Sequence, residues 1–122
     1  MIEAIREHVE VIGANAGVQI VVDAPVGPLD IPAAIEVAVF RVVQEALNNV
    51  IRHAQARHCS VSIAAEGGLH ILIQDNGVGL RQGNRSGVGL QSMRERAAEV
   101  GGVCTIENGE EEGVVVRLSL PL

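Results

Sequence analysis

Two kinds of apolar spacing alternate along the chain. Apolar residues three or four positions apart predict a helix from residue 1 to about 14. A second predicted helix begins near residue 31, with Pro32 in its first turn, and runs to about 54. A third is predicted to follow Gly89 and to end near residue 100, where two glycines stop it.

The sequence predicts five strands, which are the stretches VQIVVD, CSVSIAAE, LHILIQD, VCTIEN and VVVRLSLPL. CSVSIAAE and LHILIQD show the period-two alternation of half-buried strands. The segments EGG and GEEEG separate neighbouring strands and predict hairpin turns. Strand pairs joined by tight turns favour a mixed, mostly antiparallel sheet with the helices gathered on one face. We therefore expect an α+β fold, a two-layer α/β sandwich, in which residues 1–122 form a single domain.

The composition limits the kinds of partner. Phe40 is the only aromatic residue, so the chain has no platform on which bases of a single strand could stack. A net charge of −6 and a pI near 5.1 argue against binding to nucleic acid or to an anionic membrane surface. Cys59 and Cys104 lack metal-ligand spacing, and no apolar run approaches the ~20 residues that span a bilayer. With no signal-peptide pattern at the N-terminus, we expect a cytosolic domain with reduced, buried thiols.

The first candidate site lies in the second helix, in the stretch VFRVVQEALNNVIRHA. Glu45 and Asn49 are four residues apart, so they lie on the same side of the helix, and Asn49 falls at the border of the apolar face. An asparagine offers an oxygen to a hard cation, and a glutamate can orient water or accept its proton. The alternative is a solvated polar face on which Glu45 pairs with Arg41, and Asn48 with Arg52.

The second candidate is QDNGVGL, which places Asp75 at the end of a strand and two glycines, Gly77 and Gly79, directly after it. A carboxylate in this position can accept a hydrogen bond from an exocyclic amine such as that of adenine, and the glycines allow the backbone to approach a ligand closely. A calcium loop would need further carboxylates, and a Rossmann site would need a second parallel strand after the next helix. The sequence provides neither.

The third candidate is GVGLQSMRERAAEVGG, in which Gly87 and Gly89 precede or open the third helix. Free backbone N–H groups and the positive end of the helix dipole make such a helix start a phosphate site. The polar stretch LRQGNRS before it predicts a lid over a nucleotide. A glycine-rich loop without a ligand is the alternative for this segment.

These three motifs, in this order, resemble the N-box and the two glycine boxes of the catalytic ATP-binding domain of sensor histidine kinases, within the GHKL (Bergerat-fold) ATPases. The likeness covers about residues 31–122 and is closest to the subgroup that includes nitrate/nitrite sensors and membrane-fluidity thermosensor kinases. The resemblance implies a Bergerat ATP-binding fold with ATP and Mg²⁺ as cofactors.

The resemblance also implies roles for individual residues. Asn49 would bind the Mg²⁺ that bridges the ATP phosphates, and Glu45 would be the catalytic acidic residue that orients water or the phosphoacceptor. Arg52 and His53 would lie near the phosphates. Asp75 would read the adenine amine, while the glycines that follow it would shape the base pocket. The phosphates would be held at the end of the lid by Gly87, Val88, Gly89 and Leu90.

The function implied is transfer of the ATP γ-phosphate to a histidine on a separate dimerisation domain of the parent kinase, and from there to a response regulator. We expect the isolated domain to be monomeric, and the sequence leaves open whether the parent protein is membrane-anchored. We expect the phosphoacceptor helix pair to lie outside this sequence. His8 is the histidine near the predicted N-terminal helix, and it is followed by Val9, where the family motif has an acidic residue. The subgroup often begins its last strand with Gly-Thr, whereas here Gly113 precedes Val114. The alternative function is a nucleotide-dependent GHKL regulator of the anti-sigma kind, without phosphotransfer.

Overall fold

The computed structural model describes residues 1–27, 29–79 and 87–122, except for the side chains of residues 53, 54, 87 and 88. The predicted order of helices and strands is confirmed. The elements are α1 (Ile2–Ala16), β1 (Gln19–Asp23), α2 (Ala33–Asn49), β2 (His58–Ala65), β3 (Leu69–Asp75), α3 (Gly87–Glu99), β4 (Val103–Asn108) and β5 (Val114–Leu120). None of the helices within the described ranges combines the length and the apolar character that a membrane crossing requires.

The five strands form one sheet in the order β1-β2-β3-β5-β4. β1 runs parallel to β2, and the other three pairs are antiparallel, which confirms the mixed, mostly antiparallel sheet. β3 is therefore the central strand. Its last residue, Asp75, lies in the middle of the row formed by the strand ends on that side of the sheet.

One face of the sheet forms the core. The strand register places Val61, Ile73, Val116 and Ile106 side by side across four strands, and all four are buried. Burial of each such side chain contributes about 1.5–3 kcal/mol relative to exposure. The alternating positions on the opposite face are polar or half-exposed, so the helices and the sheet form the predicted two-layer sandwich.

Helix α2 lies at the centre of the helical layer. Five apolar residues at helical spacing form its buried face, namely Ile35, Val39, Val42, Ala46 and Val50. Val43 and Leu47 are buried as well, because α1 and α3 both pack against α2.

The end of α2 differs from the prediction of one continuous helix to residue 54. The α-helix ends at Asn49, and a π-helical turn, Val50–Ala54, takes over. Gln55 then adopts a left-handed conformation, with φ of 54°, and ends the turn. Single π turns within helices often occur at functional sites. This one directly follows the asparagine that the sequence singles out.

Candidate functional site

A small cavity lies where α2, the end of β3 and α3 meet. Its volume is about 10 Å³, room for roughly one water molecule. Its walls are formed by Ala46, Asn49, Val50, Ile73, Asp75, Leu90, Met93, Ile106, Val114 and Val116. Among these described residues only Asn49 and Asp75 are polar, so the polar chemistry of the cavity depends on one carboxamide and one carboxylate.

Asp75 is buried, with 8% of its surface exposed, at the end of the central strand. Its Oδ1 accepts a hydrogen bond from the backbone N–H of Gly77 at 2.9 Å. An ionised carboxylate has about four acceptor sites. Asp75 can therefore accept a further hydrogen bond from a ligand amine inside the cavity.

The glycine loop after β3 is held against the β4–β5 hairpin. The carbonyl of Gly77 accepts a hydrogen bond from the N–H of Gly113 at 2.9 Å. Gly79 has a φ of +80°, and a Cβ atom there would lie 2.8 Å from Oδ1 of Asn108. Both predicted glycines thus lie against the β4–β5 hairpin, and Gly79 needs a conformation that side chains disfavour.

Glu45 and Asn49 face the start of α3. A Cβ atom on Gly89 would lie 2.7 Å from Oε1 of Glu45 and 3.9 Å from Nδ2 of Asn49. The absence of a side chain at position 89 allows α3 to approach α2 this closely. The first turn of α3, whose N–H groups have no partner within the helix, therefore begins beside a carboxylate and a carboxamide.

The family model described as "Histidine kinase-, DNA gyrase B-, and HSP90-like ATPase" matches residues 34–122. The chain belongs to this ATPase family. The matched range includes every residue that lines the cavity.

Two curated relatives show which ATPases the chain is similar to. It is 38% identical over 95 residues to the sensor histidine kinase LiaS of Bacillus subtilis, a match that covers 75% of this chain and 26% of LiaS. It is 30% identical over 120 residues to the nitrate/nitrite sensor protein NarQ of Escherichia coli, covering 95% of this chain and 21% of NarQ. The resemblance to sensor histidine kinases is confirmed, and the chain spans only about a quarter of the length of these relatives.

A solved structure shows the same fold. The blue-light activated histidine kinase EL346 of Erythrobacter litoralis matches with a TM-score of 0.78, covering 95% of this chain and 40% of that one. The sequence identity is 19%, so this match concerns the fold alone.

The structure describes the remaining predicted site residues to different extents. Leu90 lines the cavity, whereas Arg52 is exposed and is not part of the wall. The side chains of His53 and Val88 lie outside the described part of the structure. The surroundings of Gly87 and the predicted lid at residues 80–86 do so as well. Their roles stay predictions.

Cys59 is a neighbour of the site that sequence reasoning did not find. It is the register partner of Asp75 on β2, and it faces the core. Burial, together with the negative charge of Asp75, raises the pKa of the Cys59 thiol from 9.0 to about 12. The thiol is therefore protonated at neutral pH. The turn EGG could have indicated this pairing, because turn length fixes the register of a hairpin.

Met93 and Val114 were also not predicted as site residues. Met93 packs α3 from a fully buried position in the wall of the cavity. Val114 lies in the same wall, so the place after Gly113 is apolar. An apolar residue at either position gives no local signal of a ligand.

The donor set of the site fits a magnesium ion. The described residues contain no group of three or more His, Cys, Asp or Glu side chains placed to hold a metal by themselves. Mg²⁺ does not need such a group, because it is usually bound by one or two protein oxygens together with waters and substrate phosphates. Asn49 has a carboxamide oxygen and Glu45 a carboxylate, which are ligands of this kind, and both side chains lie near Gly89.

Proposed function

We propose that this chain is the ATP-binding catalytic domain of a two-component sensor histidine kinase, with residues 1–122 acting as one unit. It would bind Mg-ATP and transfer the γ-phosphate to a histidine on a separate dimerisation domain. The observation that carries the proposal is that Asn49, Asp75 and Leu90, from three separate sequence motifs, line one cavity. The sensor histidine kinases among its relatives support it.

The base would bind at Asp75. The carboxylate would accept a hydrogen bond from the adenine amine, and the apolar walls would cover the faces of the ring. A cavity with room for one water cannot hold a purine, so Leu90 and Met93 on α3 must move away from the sheet when nucleotide binds. Gly77 and Gly79 would shape the rim of the base site.

The phosphates would bind between α2 and the start of α3. Backbone N–H groups of residues 87–90 would hold phosphate oxygens, with Arg52 and His53 near them. Asn49 would hold Mg²⁺, which when bound neutralises phosphate charge. Glu45 would orient the attacking group. Positioning and charge stabilisation of this kind provide most of the catalysis in phosphoryl transfer.

The acceptor histidine would belong to the dimerisation domain of the parent kinase, and a response regulator would take the phosphate from it. We place the domain in the cytoplasm, where ATP is available, and expect it to be monomeric on its own. The net charge of −6 is consistent with a partner that is not nucleic acid.

Calorimetric titration with ADP and an unhydrolysable ATP analogue, with and without Mg²⁺, tests the site. We expect saturable 1:1 binding that prefers adenine over guanine. Asp75→Asn should weaken ADP much more than tripolyphosphate, which lacks the base, and Asn49→Ala should remove the dependence on Mg²⁺. Absence of binding at millimolar nucleotide would contradict the proposal.

A phosphotransfer assay tests the reaction. We expect labelled phosphate to pass from ATP to a histidine of an added dimerisation domain from a related kinase, and Glu45→Gln to slow this step. Intact ATP binding without transfer to any such domain would instead indicate the regulatory module without phosphotransfer.

A further inference from the structure

Asn76, between Asp75 and Gly77, forms a junction that the ATP-site motifs do not explain. Its side-chain Oδ1 accepts hydrogen bonds from the backbone N–H groups of both Arg57 and His58, each at 2.9 Å. Its own N–H donates to the carbonyl of His58 at 3.1 Å. Three hydrogen bonds thus fix the residue after Asp75 to the start of β2.

The other side of this junction leads back to Asn49. The chain leaves α2 at Asn49, passes through the π turn and Gln55, and reaches Arg57 just before β2. The carbonyl of Arg57 also accepts a hydrogen bond from Gln19 at 2.9 Å, which ties the same point to β1. Asn76 is therefore bonded to the far end of the segment that begins at Asn49.

Asparagine suits this junction because one carbonyl oxygen carries two lone pairs, and both are used here. Arg57 and His58 are exposed, so water can replace these bonds when the side chain is removed. Their loss should cost the fold little. It would, however, leave the strand end that carries Asp75 joined to the start of β2 by backbone bonds alone, so its position relative to the segment that follows Asn49 would be less tightly fixed.

We propose that Asn76 is a positioning residue that sets the spacing between Asn49 and Asp75. It would thereby couple the placement of the phosphates to the reading of the base. This inference rests on the proposed function, because it assumes that both residues bind one nucleotide. Asn76 itself would not touch the ligand.

The test compares Asn76→Ala with Asn76→Asp by calorimetry with Mg-ADP. Aspartate keeps the acceptor oxygen at the same place, so it should restore binding. We expect Asn76→Ala to weaken ADP at least about tenfold and Asn76→Asp to stay within about threefold of the unsubstituted protein. Hydrogen exchange at the Arg57 and His58 amides should quicken in Asn76→Ala and not in Asn76→Asp.

His70→Ala is the matched control. It removes two side-chain hydrogen bonds from the other end of β3, to Ser119 Oγ and to the carbonyl of Glu66, each 3.2 Å long. We expect ADP affinity within about threefold of the unsubstituted protein, because these bonds do not link Asp75 to the α2 exit. If Asn76 contributed to stability alone, Asn76→Ala and His70→Ala would lower ADP affinity to a similar extent for the same loss of stability. That result would overturn the proposal.

The outcomes separate this inference from the proposed function. If the unsubstituted protein does not bind ADP, the proposed function fails. If it binds ADP and Asp75→Asn abolishes binding while Asn76→Ala does not weaken it, the positioning role alone is wrong. An Asn76→Asp variant as weak as Asn76→Ala would also overturn the positioning role. Should Asn76→Ala not fold, Asn76→Gln makes the same test, because it moves the acceptor oxygen by one carbon–carbon bond.

Discussion

Gly113 lies directly against Asp75. A Cβ atom at position 113 would overlap the backbone carbonyl of Asp75 and would come 2.7 Å from its Oδ1 carboxylate oxygen. The carboxylate that we propose reads the base can therefore occupy its position only because the residue that precedes β5 has no side chain.

Gly113→Ala should weaken both stability and nucleotide binding. The residue has a φ of +69°, which costs about 1–3 kcal/mol for a residue with a Cβ atom, and the overlap must also displace the end of β3. Urea unfolding and calorimetry with Mg-ADP measure the two effects. Gly67→Ala is the control, because Gly67 has a similar φ of +64° and nothing within 4 Å. Equal ADP affinity in the two variants would contradict the role of Gly113.

Gly89→Ala should separate function from stability. Its Cβ atom would meet the flexible end of Glu45, which can move at small cost, while alanine in a helix is favoured over glycine by about 0.5–1 kcal/mol. We expect unchanged or higher stability together with slower phosphotransfer, because Glu45 is displaced. The measurements are thermal unfolding and the transfer assay. Full activity in Gly89→Ala would show that the position of Glu45 does not matter.

The two thiols should resist alkylation in the folded protein. Burial raises the pKa of Cys59 to about 12 and that of Cys104 to about 11, and only the thiolate reacts. We expect iodoacetamide at about pH 8 to react at least about a hundredfold more slowly with the native protein than with the urea-unfolded protein. Equal rates, followed by mass spectrometry, would show that the thiols are accessible.

The same thiols should make the fold sensitive to alkali. In the unfolded chain they lose protons above pH 9.0, while in the fold they keep them until about 11 or 12. Their contribution to stability is therefore fully present below pH 9.0 and is lost as the pH rises through the folded pKa values. The chain has no tyrosine and no lysine, so these thiols dominate the side-chain titration in this range. Urea unfolding at rising pH should show the fall, and Cys59→Ala should reduce its slope.

Val114→Thr should introduce the hydroxyl that the resembled subgroup often carries at this position. Val114 is buried in the cavity wall, so an unpaired hydroxyl should lower the free energy of unfolding by about 1–3 kcal/mol. We expect ADP to bind more tightly, because a water beside the base would give the hydroxyl a partner. Val61→Thr is the control, since Val61 is buried in the core but does not line the cavity. Weaker ADP binding by Val114→Thr would contradict this expectation.

Much of the fold could be predicted from the sequence because the local patterns agree with the tertiary structure. The alternation in LHILIQD marks Ile71 and Ile73 as core residues, and both are buried. The helical spacing of Val39 and Val42 marks the core face of α2 equally well. The π turn after Asn49 was not predicted, because a single turn of five residues contains too few apolar positions to show a change of helical period.

The candidate site, too, could be predicted from the sequence only in part. The motifs pointed to Glu45, Asn49 and Asp75 as candidates through residue type, spacing and family resemblance, since cations, phosphates and amines each need particular donors and acceptors. Their roles stay predictions. Strand pairing and register decide three further contacts: Gly113 against Asp75, Cys59 beside Asp75 on β2, and the hydrogen bonds of the Asn76 junction. Strand order brings together residues that are far apart in the chain, so only the tertiary structure decided these contacts.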